Sequence, residues 1–128
     1  MKSRILLVDD EAAIRIALKT ILERHGFEVE VAASATEATQ KLGEGKFHLI
    51  ITDLRMETPG AGYEVIRAAR EQQYNPAVVI LTAYPVAEKD WMAAGAQAML
   101  TKGTGINSSE IVHQIERVLI SYETSIQQ

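Results

Sequence analysis

No cysteine occurs among the 128 residues. That excludes disulfides, thiolate metal sites and a cysteine nucleophile. A basic excess is lacking too: 13 Lys and Arg stand against 17 Asp and Glu, a formal charge of −4 spread along the chain. No Lys/Arg cluster offsets that balance, so direct nucleic-acid binding is not expected. Long apolar runs are missing. Behind the charged start Met1-Lys2-Ser3-Arg4, the apolar run 5–8 is too short for a secretory signal core. Nothing approaches the roughly 20 apolar residues of a membrane span. Internal repeats, low-complexity tracts and linkers are absent as well. What remains is 47% hydrophobic and 23% charged residues, the mixture of one folded domain, expected in the cytoplasm.

Short β-branched apolar runs alternate with longer helical patterns. The runs cover 5–8, 27–33, 47–52, 77–81 and 98–101. In the second, Val29 and Val31 alternate with Glu28 and Glu30 at the period of a strand. The first helix carries Ile14, Leu18, Ile21 and Leu22 on one face and stops at Gly26. A second runs from 34 or 35 to 42, closed by Gly43 and Gly45. A third covers 63–71, after a loop with Pro59, Gly60 and Gly62. Pro85 suits a first helical position and opens the fourth, which ends near Gly95. The fifth carries Ile111, Ile115, Val118, Leu119 and Tyr122 on one face. The domain is expected to span 1–122, leaving 123–128 as a polar, fraying tail. Five strands alternating with five helices predict an α/β domain with one parallel sheet buried on both faces.

Chemistry gathers at the strand ends. Asp9 and Asp10 follow the first strand, Asp53 the third, Thr82 the fourth and Lys102 the fifth. In an open parallel sheet, sites lie beyond the carboxyl ends of the strands near a switch point. If these strands are neighbours, the side chains share one crevice. Three crowded carboxylates repel unless a cation joins them. Magnesium suits such a set, because it takes a few carboxylates and welcomes a phosphate oxygen. An aspartate can then attack phosphorus and form an acyl phosphate, while the metal and the Lys102 ammonium neutralise the transferring group. The Thr82 hydroxyl can donate to the new phosphoryl group. Each residue also has a plainer reading: Asp9-Asp10-Glu11 as a helix cap, Asp53 as a turn residue, Thr82 as a cap and Lys102 as a surface charge. Capping does not explain why all of them fall at strand carboxyl ends.

Val8-Asp9-Asp10-Glu11, Thr52-Asp53-Leu54-Arg55-Met56, Leu81-Thr82-Ala83 and Ala94-Gly95-Ala96 with Lys102 resemble the response-regulator receiver domain of two-component signalling. The resemblance extends from about residue 3 to 122. It implies a flavodoxin-like sheet in the order 2-1-3-4-5, flanked by five helices, and phosphotransfer from a histidine kinase's phosphohistidine to Asp53. By the same resemblance Asp10 is a direct magnesium ligand with Asp9 assisting. The Arg55 backbone carbonyl joins Asp53 in the metal shell. Thr82 becomes the switch hydroxyl and Lys102 the phosphate-pairing lysine. Such a domain assists its own phosphorylation and dephosphorylation without being a turnover enzyme. Its partners are a sensor histidine kinase or phosphotransfer protein and a downstream protein or fused effector domain, with a dimer through helix 4, strand 5 and helix 5 as a further expectation.

Three departures from the family pattern bear on output. Met99 stands where the family has an aromatic residue, and Gly103 follows the lysine where the family has proline. The loop 57–62 is one residue longer than the common pattern. Output residues are therefore expected at Met99, at Trp91 on the fourth helix, and at Tyr84, which with Arg55 stands two positions beyond a site residue and tunes acyl-phosphate lifetime in the family. Met99 and Gly103 also motivate an alternative, a receiver-like interaction module whose output is independent of phosphorylation. An enzyme on this fold is disfavoured: Arg55 stands where an aspartate-nucleophile phosphatase needs a second Asp, and no glycine-rich loop follows the first strand.

Overall fold

The first apolar run forms β1 (Arg4–Val8). The chain continues through α1 (Ala12–Arg24), β2 (Glu28–Ala32), α2 (Ala35–Glu44), β3 (Leu49–Thr52) and α3 (Ala61–Arg70). It ends with β4 (Ala77–Thr82), α4 (Glu88–Ala94), β5 (Ala98–Thr101) and α5 (Ser108–Gln127). The computed structural model describes residues 2–102 and 108–127. Gly103 lies outside the described residues. The five strands pair in parallel in the order β2-β1-β3-β4-β5, the order the sequence leads one to expect.

Successive strand residues point to opposite faces, and both faces are apolar. On one side Leu6, Val8, Ile50, Val78 and Ile80 pack against Ala35, Ala38 and Leu42 of α2 and Val65, Ile66 and Ala69 of α3. On the other, Ile5, Leu7, Leu49, Ile51, Val79 and Leu81 meet Leu18 and Leu22 of α1 and Ile111, Ile115 and Leu119 of α5. Each buried Leu, Ile or Val among them contributes roughly 1.5–3 kcal/mol on leaving water, and each Ala less. Two faces covered in this way hold the strands as a rigid floor for the loops at their carboxyl ends.

Several boundaries depart from expectation. Pro85 does not open α4, which starts at Glu88 after an extended Ala87. Helix α3 begins at Ala61 rather than at 63, and Gly43 lies inside α2, which ends at Glu44 with Gly45 as its cap. The backbone beyond Tyr122 stays helical to Gln127, since residues 123–127 hold neither glycine nor proline to break it. Gly95 closes α4 in the left-handed region, at φ 106°, a conformation that favours glycine.

Candidate functional site

Strand register brings the acidic residues together. Val8 pairs with Thr52 at the ends of β1 and β3, so the next residues, Asp9 and Asp53, leave the sheet side by side. The Asp53 N–H donates to the Val8 carbonyl at 3.1 Å, and the Asp9 N–H donates to the Ala32 carbonyl of β2 at 3.1 Å. Both carboxylates are buried, Asp9 at 1% exposure and Asp53 at 7%. Ligand oxygens of Asp9, Asp10, Glu11 and Asp53 all lie within 4.8 Å of one another. This is the switch point of the sheet, where β1 is flanked by β2 and β3.

Lys102 arrives from the far side. Thr82 and Thr101 pair at the ends of β4 and β5, and the Lys102 N–H donates to the Thr82 carbonyl at 2.8 Å. Its ammonium reaches Oδ2 of Asp53 and Oδ2 of Asp9, each at 2.7 Å, and Glu11 Oε1 at 3.2 Å. The Asp53 contact is a directed hydrogen bond. The Asp9 contact is a buried ion pair, and Lys102 is the one group set against Asp9 Oδ2 among the described residues. Burial works against the charged form of Lys102, but hydrogen bonds and Coulomb attraction from Asp53 and Asp9 outweigh it and hold the ammonium above its ordinary range. Burial raises the Asp9 carboxyl; Asp53 adds to the rise, while Lys102 and the Glu11 N–H oppose it.

Local bonds orient the remaining groups. Asp53 Oδ1 accepts the Leu54 N–H at 2.7 Å, and Asp9 Oδ1 accepts the Glu11 N–H at 2.9 Å. Arg15 donates to the Asp9 carbonyl at 2.6 Å, fixing its main chain from α1. Thr82 is fully buried, and its hydroxyl accepts the Tyr84 N–H at 3.2 Å. Tyr84 is 66% exposed, and the Arg55 guanidinium lies over its ring, 5.3 Å from the centroid. Met99 is half-buried against the core cluster of Val78 and Ile80, and Trp91 is half-buried against the same cluster.

The donor set fits a hard divalent cation. Carboxylate oxygens of four acidic residues converge, the cluster includes no sulfur or imidazole, and a single lysine ammonium leaves most of its negative charge uncompensated.

Three contributors escaped the sequence reading. Glu11 joins the carboxylate cluster and the Lys102 pairing, for which its contiguity with Asp9-Asp10 was the available signal. Gly62 N–H donates to the Leu54 carbonyl at 2.9 Å, and a Cβ there would overlap the Asp53 carbonyl oxygen and Leu54 Cα. Glu57 accepts the Ala35 N–H at the start of α2. The Glu57 contact spans 22 residues and the Gly62 contact closes a loop, and no local pattern announces either.

Comparison with known proteins places this geometry in context. A model of the response regulator receiver domain matches residues 5–116. The transcriptional regulatory protein ResD of Bacillus subtilis is 42% identical over 83 residues, 64% of this chain and 33% of ResD. The structure of chemotaxis protein CheY4 of Vibrio cholerae is 31% identical with a TM-score of 0.83, covering 92% of this chain and 99% of that one. The response regulator TrrA of Thermotoga maritima, in complex with Mg2+-BeF, is 32% identical with a TM-score of 0.78 and the same coverage, 92% and 99%. The chain thus spans a third of the length of ResD and nearly all of the two solved neighbours.

Proposed function

The chain belongs to the response-regulator receiver family, and on that premise we propose that Asp53 is its phosphoryl acceptor. The observation that carries this is the shared ammonium, 2.7 Å from both Asp53 and Asp9. The Leu54 N–H and the Lys102 ammonium orient the Asp53 carboxylate, and both stay within reach of a group bonded to it. The Asp53 oxygen forms the new P–O bond as the P–N bond of a donor phosphohistidine breaks, with that electron pair returning to the imidazole. Lys102 needs no recruitment, since an ammonium touching Asp53 is within reach of a phosphoryl oxygen bonded there.

Asp9, Asp10, Asp53 and the Arg55 carbonyl would hold magnesium, a reading supported by the carboxylate cluster and by the Mg2+-BeF complex of TrrA. When bound, the metal neutralises charge on the transferring phosphoryl oxygens. Thr82 supplies the switch: its hydroxyl turns from the Tyr84 N–H to the phosphoryl group, freeing the β4–α4 loop that carries Tyr84. The donor is a sensor histidine kinase or phosphotransfer protein, and the output is a downstream protein or fused effector domain, with dimerisation through α4, β5 and α5. On this account the chain assists its own phosphorylation and does not turn over a separate substrate. The receiver domain is assigned to 1–122. Among the described residues no helix is long and apolar enough to cross a membrane, which accords with work in the cytoplasm.

A phosphorylation-independent interaction module is the second reading, favoured by Met99, whose thioether packs into the core where the family pattern has a ring. Incubation with a small acyl phosphate donor and magnesium separates the two. The acceptor reading expects labelling that a chelator abolishes, together with a changed affinity for the downstream partner. Labelling without any change in partner affinity would favour the second reading, and no labelling at all would remove the first.

A further inference from the structure

Glu57 reaches across 22 residues to the start of α2, where both of its carboxylate oxygens approach the Ala35 N–H, at 3.0 and 2.8 Å. The first N–H groups of a helix have no partner within it. Yet α2 has its own cap: the Ser34 hydroxyl accepts the Glu37 N–H at 3.1 Å. Glu57 is an added anchor from the β3–α3 loop, and its negative charge suits the positive end of the helix.

The anchor closes a circuit around the acidic site. Asp53 is bonded to the end of β1 through Val8, and Asp9 to the end of β2 through Ala32. Ala32 ends β2 and Ala35 opens α2, on either side of one short connection. Glu57 links that connection back to the loop that began at Asp53. Between the fixed points Asp53 and Glu57 lies Arg55. Local bonds inside the loop, from Met56 N–H to the Thr58 carbonyl at 3.1 Å and from Gly62 N–H to the Leu54 carbonyl at 2.9 Å, shape it but do not tie it to the Asp9 side.

We propose that Glu57 is a positioning residue for the metal-holding loop, fixing the main chain of Arg55 relative to Asp9 by anchoring on the first N–H of α2. The proposal rests on the magnesium reading above. Removing groups that hydrogen-bond metal ligands commonly weakens metal affinity by roughly 10–100-fold; Glu57 acts one step further out, through the main chain that joins it to Arg55, so the low end of that range applies. Coupling is reciprocal, so a cation in the site should in turn tighten the Glu57–Ala35 contact.

Calorimetric titration of magnesium into the full chain, with amide hydrogen exchange at Ala35, tests this. Glu57→Ala is expected to bind magnesium about tenfold more weakly than the parent. Glu57→Gln, which keeps an oxygen for the Ala35 N–H, should fall between the two. Magnesium should slow Ala35 exchange in the parent and not in Glu57→Ala. A lowered unfolding midpoint with unchanged magnesium affinity would reduce Glu57 to a helix cap and overturn the proposal. Should Glu57→Ala fail to fold, parent-like affinity in Glu57→Gln, with Ala35 exchange insensitive to magnesium in the parent, overturns it equally. A parent chain that binds no magnesium would remove the metal reading and this inference together, whereas binding in the parent with no loss in the variants removes the inference alone.

Discussion

The ammonium of Lys102 sits 2.7 Å from Oδ2 of Asp53 and 2.7 Å from Oδ2 of Asp9. One cation thus compensates two buried carboxylates that would otherwise repel each other. The lysine side chain is itself 9% exposed, so little solvent stands in for it. The acid pocket and the lysine are a single electrostatic unit, and the consequences of disturbing it can be measured.

Lys102→Met should leave Asp9 and Asp53 facing each other without a counter-charge. Breaking a buried pair in this way costs about 3–5 kcal/mol, so urea unfolding without magnesium should show a loss near the lower end of that range, because Glu11 and Asp10 remain in contact with water. Added magnesium should recover much of the loss. Unchanged stability would mean that the pocket is screened by water and the pairing counts for little.

Asp9 gives a pH dependence of definite sign. Burial raises its carboxyl, and a proton there competes with a metal ion. Magnesium affinity should therefore fall as pH drops through the raised Asp9 range, and Asp9→Asn should flatten that fall. The metal-free fold responds in the opposite direction. A raised carboxyl contributes stability that is fully present below the ordinary aspartate value of 3.8 and is lost as pH rises through the folded value. Magnesium titrations and thermal melts across that interval check both halves.

Gly62→Ala should disturb Asp53 from the side of α3. The added Cβ overlaps the Asp53 carbonyl oxygen and Leu54 Cα, backbone atoms that cannot rotate away. Overpacking of this kind costs about 1–3 kcal/mol. Chemical denaturation should show that loss, and phosphoryl labelling of the still-folded fraction should be slower than in the parent.

Arg55 and Tyr84 stack over the loops that follow β3 and β4. An exposed cation–π contact contributes about 0.5–1 kcal/mol. If it restrains water entry to an Asp53 phosphate, Tyr84→Ala and Arg55→Ala should each shift the acyl-phosphate lifetime by about two- to fivefold, the factor that energy implies. The double variant should then change no further than either single one. Additive effects would show that the two side chains act separately.

The strands and the central site were legible because their signals are local. Asp9, Asp53 and Lys102 each stand directly after an apolar run, and strand register alone brings the first two together. The start of α4 was not legible. Proline fixes φ near −65°, a value shared by helices and extended loops, and Pro85 stands in the connection before the extended Ala87. The early start of α3 depends on Gly62 letting a helix turn rest against the Asp53 backbone, a tertiary contact with no local trace. Glu57 and the Arg55–Tyr84 stack likewise depend on residues distant in sequence, whereas Glu11 stands beside Asp9-Asp10 and carried a local signal. Trp91 could have been an exposed anchor or a packed side chain by sequence, and it lies half-buried against the core.

Identifying the phosphorylated residue tests the central claim most directly. After incubation with a small phosphodonor and magnesium, borohydride reduces an acyl phosphate to the alcohol and expels phosphate, turning a phosphorylated aspartate into homoserine. Peptide mapping of the reduced chain should then find homoserine at position 53, with none in the Asp53→Asn variant. Homoserine at Asp9 or Asp10 instead, or labelling undiminished in Asp53→Asn, would contradict the account.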